Sequence, residues 1–176
     1  METTKNNLPD YIKKFFNGLS HYLNTKLLYY GSVQRNDYFP GKSDIDVDIF
    51  TDNVDSTINK MQHYLHVERK KFKKFVWVVN TGNQFTTGYK IFYRDPSEKF
   101  SAEFSIYNEK YKTVILQEHL SKTVLPIHAT ILLVILKFLY YNMELIDRSY
   151  FKYLKKKILT LCIGKPDDMF VVLDAK

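Results

Sequence analysis

Residues 43–50 read Ser43-Asp44-Ile45-Asp46-Val47-Asp48-Ile49-Phe50, three aspartates alternating with large apolar residues. A period of two is that of a strand, so Asp44, Asp46 and Asp48 share one face and Ile45, Val47 and Ile49 the other. The apolar face must find a core. The acidic face repels itself unless positive charge sits on it, because same-face residues are only about 6.7 Å apart at Cα. Carboxylates converging from that spacing can bridge divalent cations. Mg2+ suits such a site, since it takes oxygen ligands and binds one or two carboxylates plus substrate phosphates. Just upstream, Gly31-Ser32 supplies a turn whose backbone N–H groups and hydroxyl suit a phosphate. A blander reading stands beside this one: acids on an edge strand guard against aggregation, although such edges more often carry Lys or mixed signs. The coincidence of turn and acidic strand favours the cation site.

A Gly-Ser turn, a gap (residues 33–43) and then Asp-x-Asp between apolar residues resemble the signature of the DNA polymerase beta-like nucleotidyltransferase superfamily, which includes poly(A) polymerases and small minimal nucleotidyltransferases. The resemblance covers mainly residues 27–50 and extends more weakly to residue 107. It implies that Gly31 and Ser32 hold a triphosphate, that the aspartate pair holds Mg2+ or Mn2+, and that a third carboxylate comes from a later strand. It also implies an α+β fold, with a mixed, mostly antiparallel, palm-like sheet covered by helices and a short C-terminal helical region.

Glu103, in Ser101-Ala102-Glu103-Phe104-Ser105, is the best downstream candidate for that third carboxylate. Its face-mates Ser101 and Ser105 are small and leave room for metal or substrate; an ordinary solvent-facing Glu is the alternative. The metal pair is Asp44 and Asp46 or Asp46 and Asp48. The order Ser43-Asp44-Ile45-Asp46 is closer to the family's Ser-Asp-x-Asp form and favours the first. Arg35, Lys42, Ser43 and Lys137 are candidates for phosphate contacts, and Arg35 reads equally well as a loop salt bridge.

Two cations about 3.5–4 Å apart would let a nucleoside triphosphate approach the carboxylates. Positioning and charge stabilisation then supply most of the rate, and no His or Cys nucleophile is required. The five histidines form no ligand cluster in the sequence, and the single Cys162 excludes an internal disulfide and a four-thiolate zinc site.

The 176 residues carry a formal net charge of +7. Basic residues concentrate in two clusters, Arg69, Lys70, Lys71, Lys73 and Lys74, and then Lys152, Lys155, Lys156 and Lys157. Aromatic residues interleave with both, a footprint for the phosphate backbone of RNA or a solvated basic face. The start of the chain is polar and no apolar run reaches the roughly 20 residues of a membrane span. The expectation is a cytoplasmic chain with no membrane partner.

Helical spacing marks residues 8–23, 54–67, 127–142 and 149–161. Strands are expected over residues 26–30, 44–50, 75–79, 89–93 and 100–107, with a last one at 169–173, while 113–120 is ambiguous. The apolar run at 129–141 reads as a buried helix. Two units result, a nucleotidyltransferase core over 1–125 and a C-terminal helical region over 126–176. The expected activity is transfer of a nucleoside monophosphate from an NTP, ATP by resemblance, onto a hydroxyl, with RNA as the favoured acceptor. That helical region is short for gripping a primer, so a partner subunit or homo-oligomer is expected to supply what is missing. The rival reading is a catalytically silent subunit of the same fold.

Overall fold

The acidic alternation forms β2 (Ile45–Thr51) in the computed structural model, which describes residues 1–79, 84–97, 99–163 and 170–173. Its neighbours are β1 (Leu27–Tyr30), antiparallel, and β5 (Ser101–Asn108), parallel. The sheet continues through β4 (Gln84–Arg94) and β3 (Lys73–Val79) to β6 (Phe170–Leu173), in the order β1-β2-β5-β4-β3-β6. Every pairing except β2–β5 is antiparallel. The fold is therefore α+β with a mixed, mostly antiparallel sheet.

One face of this sheet is the main core. Ile45, Val47 and Ile49 of β2 and Ala102, Phe104 and Ile106 of β5 are all fully buried there. Burying each large aliphatic side chain contributes about 1.5–3 kcal/mol. Helices α1 (Asp10–Leu23) and α2 (Val54–Leu65) cover that face with Ile12, Phe16, Leu19 and Leu23, and with Ile58, Met61 and Leu65. Pro9 precedes the first turn of α1, and its carbonyl accepts the Ile12 and Lys13 N–H groups. Asn53 caps α2, its side chain accepting the Ser56 N–H at 2.9 Å. The left-handed residues Asn24 and His66 end the two helices.

The opposite face carries the acids. Part of it is covered by α3 (Lys112–Thr123), the segment that the sequence left ambiguous. Its buried residues are Ile115 and Glu118 rather than an apolar stripe, because this helix packs against a sheet face that is itself partly polar. Ile115 joins Leu28, Phe50, Phe75, Trp77 and Tyr107 in a second, smaller core.

Two further helices, α4 (Ile127–Tyr141) and α5 (Arg148–Ile163), pack on each other, with the Tyr140 and Phe151 rings stacked at 4.2 Å. Helix α4 is not the buried helix that its composition suggested. It buries Ala129, Leu133, Leu136 and Lys137, but Ile127 is 79% exposed, and Ile131, Leu132, Ile135 and Phe138 are about half exposed. Only one side of this helix meets the rest of the described chain. Among the described residues no single helix is long and apolar enough to cross a membrane. The expected last strand exists, with Met169 outside the described residues, and it pairs with β3.

Candidate active site

Strand β1 ends at Tyr30 and the chain turns at once through a short 3-10 helix, Gly31–Gln34. Gly31 has φ +67°, a region that L side chains rarely adopt. Room is short there as well, unless the Asp46 carboxylate shifts. A Cβ there would lie 1.9 Å from Asp46 Oδ2. The turn and the acidic strand are thus packed atom against atom, with Ser32 buried at their junction.

The sheet registers set out the acids. Asp46 pairs with Tyr30 on one side and with Glu103 on the other. Residues paired across a ladder project to the same face, so Asp46 and Glu103 are immediate neighbours. Asp44 stands just before β2, and its Oδ1 accepts the Ser101 hydroxyl at 2.5 Å. Glu103 Oε1 accepts Lys90 Nζ at 3.1 Å. Burial pushes Asp46 up to about 7, with Glu103 and Asp44 raising it further against a downward pull from Lys155. Asp48, by contrast, is turned beneath α3. It is fully buried, and its Oδ2 lies 2.8 Å from His119 Nε2 without an aligned hydrogen bond between them. Burial raises Asp48, and His119 works against that rise.

A cleft of about 450 Å3 opens over Asp44 and Asp46. Ser32, Lys42, Ser43 and Lys137 line it, together with Arg94, Arg148, Lys152 and Lys155. Tyr140, Tyr141 and Phe151 form an aromatic wall on the α4–α5 side. Two carboxylates facing this many cations give the cleft the charge pattern that a polyanion carried with a metal ion would require. The donors suit an oxygen-seeking divalent cation. Burial, more than any neighbouring charge, lifts Asp46 above the usual carboxylate range, and a divalent cation with substrate phosphates in its shell would offset that burial. Among the described residues no three acids, histidines or cysteines converge tightly enough to hold an ion unaided. The Glu103 carboxylate is engaged by Lys90 in this arrangement.

Of the residues singled out in the sequence, Ser32, Lys42, Ser43, Asp44, Asp46 and Lys137 come together in this cleft. Gly31, Arg35 and Glu103 line a second cavity instead. Arg35 and Lys137 both point their charge at Asp37, a fully buried carboxylate that the sequence did not single out. Arg35 Nε donates to Asp37 Oδ1 at 2.8 Å. Lys137 Nζ lies 2.9 Å from Asp37 Oδ2 and donates to the Asp37 carbonyl at 2.6 Å. Burial alone would raise Asp37, but Arg35 and Lys137 hold it below the usual carboxylate range. Burial pulls Lys137 down to about 8 despite Asp37. These ties brace the loop that leads from the Gly31 turn to Asp44.

The second basic cluster sends Lys152 and Lys155 into the cleft alongside Arg148. Their spacing, four and three residues apart on α5, is one helix face, a signal present in the sequence but not used. Arg94 gave no such signal; its place follows from its register opposite Ser101. In the first cluster, Arg69 pairs with Asp55 and Asn59, and Lys70 pairs with Glu68 at 2.5 Å.

No curated protein matches this chain. Solved structures similar to it include the one described as "structure of GLD-2/RNP-8 complex", at 14% identity and a TM-score of 0.42. That match covers 89% of this chain and 57% of the other, so this chain spans little more than half of its neighbour's length. The model of the nucleotidyltransferase domain family matches residues 11–160. The chain belongs to the nucleotidyltransferase domain family.

Proposed function

We propose that this protein transfers a nucleoside monophosphate from a nucleoside triphosphate, ATP in the first instance, onto a hydroxyl group and releases pyrophosphate. The observation that carries the reading is the cleft in which the Asp44–Asp46 pair faces Lys152, Lys155 and Arg148, with Glu103 in register beside Asp46. Ser32 and the backbone N–H groups of its turn would hold the terminal phosphates. Lys152, Lys155 and Arg148 would take the charge of the departing pyrophosphate. Tyr140, Tyr141 and Phe151 offer rings against which the donor base can stack. Asp44 and Asp46 would hold Mg2+ or Mn2+, with Glu103 joining them once it leaves Lys90. A divalent cation at that position neutralises the polyphosphate and lowers the pKa of the attacking hydroxyl.

The test is incubation with ATP labelled at the α-phosphate, Mg2+ and a panel of hydroxyl acceptors that includes RNA. Label on an acceptor supports transfer, and free labelled nucleotide points to hydrolysis instead. Asp44→Asn and Asp46→Asn should each lower transfer at least about 100-fold. The Glu103–Lys90 pairing favours one rival, a silent subunit that binds nucleotide without reacting. Saturable ATP binding with no label moved under any metal would select it.

A further inference from the structure

Helix α4 leaves one apolar side uncovered among the described residues. Ile127, Ile131, Ile135 and Phe138 follow one another at spacings of four, four and three, so they form one stripe along the helix. Val124, just before the helix, is 84% exposed, and Leu132 beside the stripe is about half exposed. Weighted by their exposed fractions, these six residues open roughly 700 Å2. That is more than the about 300–600 Å2 of an ordinary monomer's largest apolar patch, and close to the about 800 Å2 that each partner gives to a stable interface. We propose that this stripe is the interface of a homodimer, in which a second copy of the chain lays its own α4 antiparallel across it. The proposal goes beyond the transfer reaction and does not rest on it.

The order of the residues argues for a second copy. Ile127 and Ile135 stand four positions to either side of Ile131, and Val124 and Phe138 stand seven to either side. A two-fold axis through Ile131, perpendicular to α4, therefore sets Ile131 on its own copy, Ile127 on Ile135 and Val124 on Phe138. Every such contact is apolar on apolar, as a self-complementary interface requires. Between Val124 and Met143 the one Lys, Arg, Asp or Glu is Lys137, which is buried and held by Asp37 on the opposite side. Two copies, each of formal charge +7, can thus meet here without setting like charges against one another. A lipid surface is the poorer occupant. A helix lying in a membrane interface flanks its apolar side with Lys and Arg, whereas α4 places His128 and Thr130 beside the stripe. A charged partner surface finds nothing on the stripe to pair with, and its own charges would be buried alone. Lys137 and Tyr140, which line the cationic cleft, lie on the other side of α4. Dimerisation and transfer can therefore fail separately.

Sedimentation velocity of the full chain from about 1 to about 100 µM should show the mass rising from 20.9 kDa toward twice that, since an interface of this size supports a micromolar Kd or tighter. Ile131→Glu sets two carboxylates together on the two-fold axis. It should weaken the dimer at least about tenfold, while its circular dichroism and its melting in dilute solution match the parent. In a Cys162→Ser background, Ile131→Cys should form a chain-to-chain disulfide under oxidised glutathione, and Lys60→Cys, exposed on α2, should not. A single-chain mass up to about 100 µM overturns the proposal, as does a dimer that survives Ile131→Glu unchanged or fails to cross-link through residue 131. Binding to phosphatidylserine vesicles that Ile131→Glu abolishes, with the chain monomeric throughout, would assign the stripe to lipid and overturn it equally.

Discussion

Gly31 and Asp46 occupy space that excludes any side chain between them: a methyl group on residue 31 would sit 1.9 Å from Asp46 Oδ2. The Gly31 turn and the Asp46 carboxylate are thereby placed by a single contact. Gly31→Ala must shift one or the other. It also meets the cost of a positive φ, about 1 kcal/mol. Nucleotidyl transfer should fall at least about 100-fold, while the melting temperature drops by only a few degrees. Initial rates and a thermal melt of the same preparation check this. Retention of more than a tenth of the activity would show that the close fit is not required.

Asp46 makes stability depend on pH. Its folded value of about 7 lies above the ordinary 3.8. Between those values the native state binds more protons than the unfolded state, so stability falls as pH rises through that window and levels off above it. Without divalent metal, Asp46→Asn should remove this slope. At pH 8 the variant should be more stable than the parent by about 1–2 kcal/mol, since solvent reaching a half-buried group trims the full shift. Denaturant titrations at pH 5 and pH 8 measure the difference, and equal slopes in parent and variant would refute it.

Lys137 ties α4 to the loop before Asp44 through Asp37. Lys137→Met strips one partner from a buried carboxylate and should cost about 2–4 kcal/mol, with Arg35 still in place. Asp37→Asn should cost a similar amount. The double variant should fall short of the sum by at least about 1 kcal/mol, because the two changes remove one shared interaction. The readout is a double-mutant cycle from chemical denaturation. Additive losses would mean that the pair is not coupled.

Helix α4 carries Ile131 and Ile135 on its exposed side. In dilute, monomeric protein, replacing either with Gln should change stability by no more than about 0.5 kcal/mol, as for ordinary surface positions. Leu133→Ala on the buried side should cost about 2–5 kcal/mol. Comparable losses on the two sides would mean that the stripe is covered within a single chain.

Much of this protein was determined by local pattern. The alternation over residues 44–50 set β2, and the apolar spacing set α1 and α2, because periods of two and of about 3.6 belong to the chain itself. The Gly31 turn was legible for the same reason, as was Glu103 standing between two apolar neighbours. Register was not local. The parallel pairing that brings Glu103 beside Asp46 depends on which strands find one another across more than 50 residues, and a slip of one residue would have turned Glu103 to the core. Only the tertiary structure revealed that Asp37 draws Arg35 and Lys137, that Asp48 meets His119 beneath α3, and that Lys152 and Lys155 face the carboxylates. Opposite charges pair by proximity in space, which a linear order does not encode. For the same reason, composition alone made α4 look buried: an apolar helix is covered only where the fold brings something to cover it.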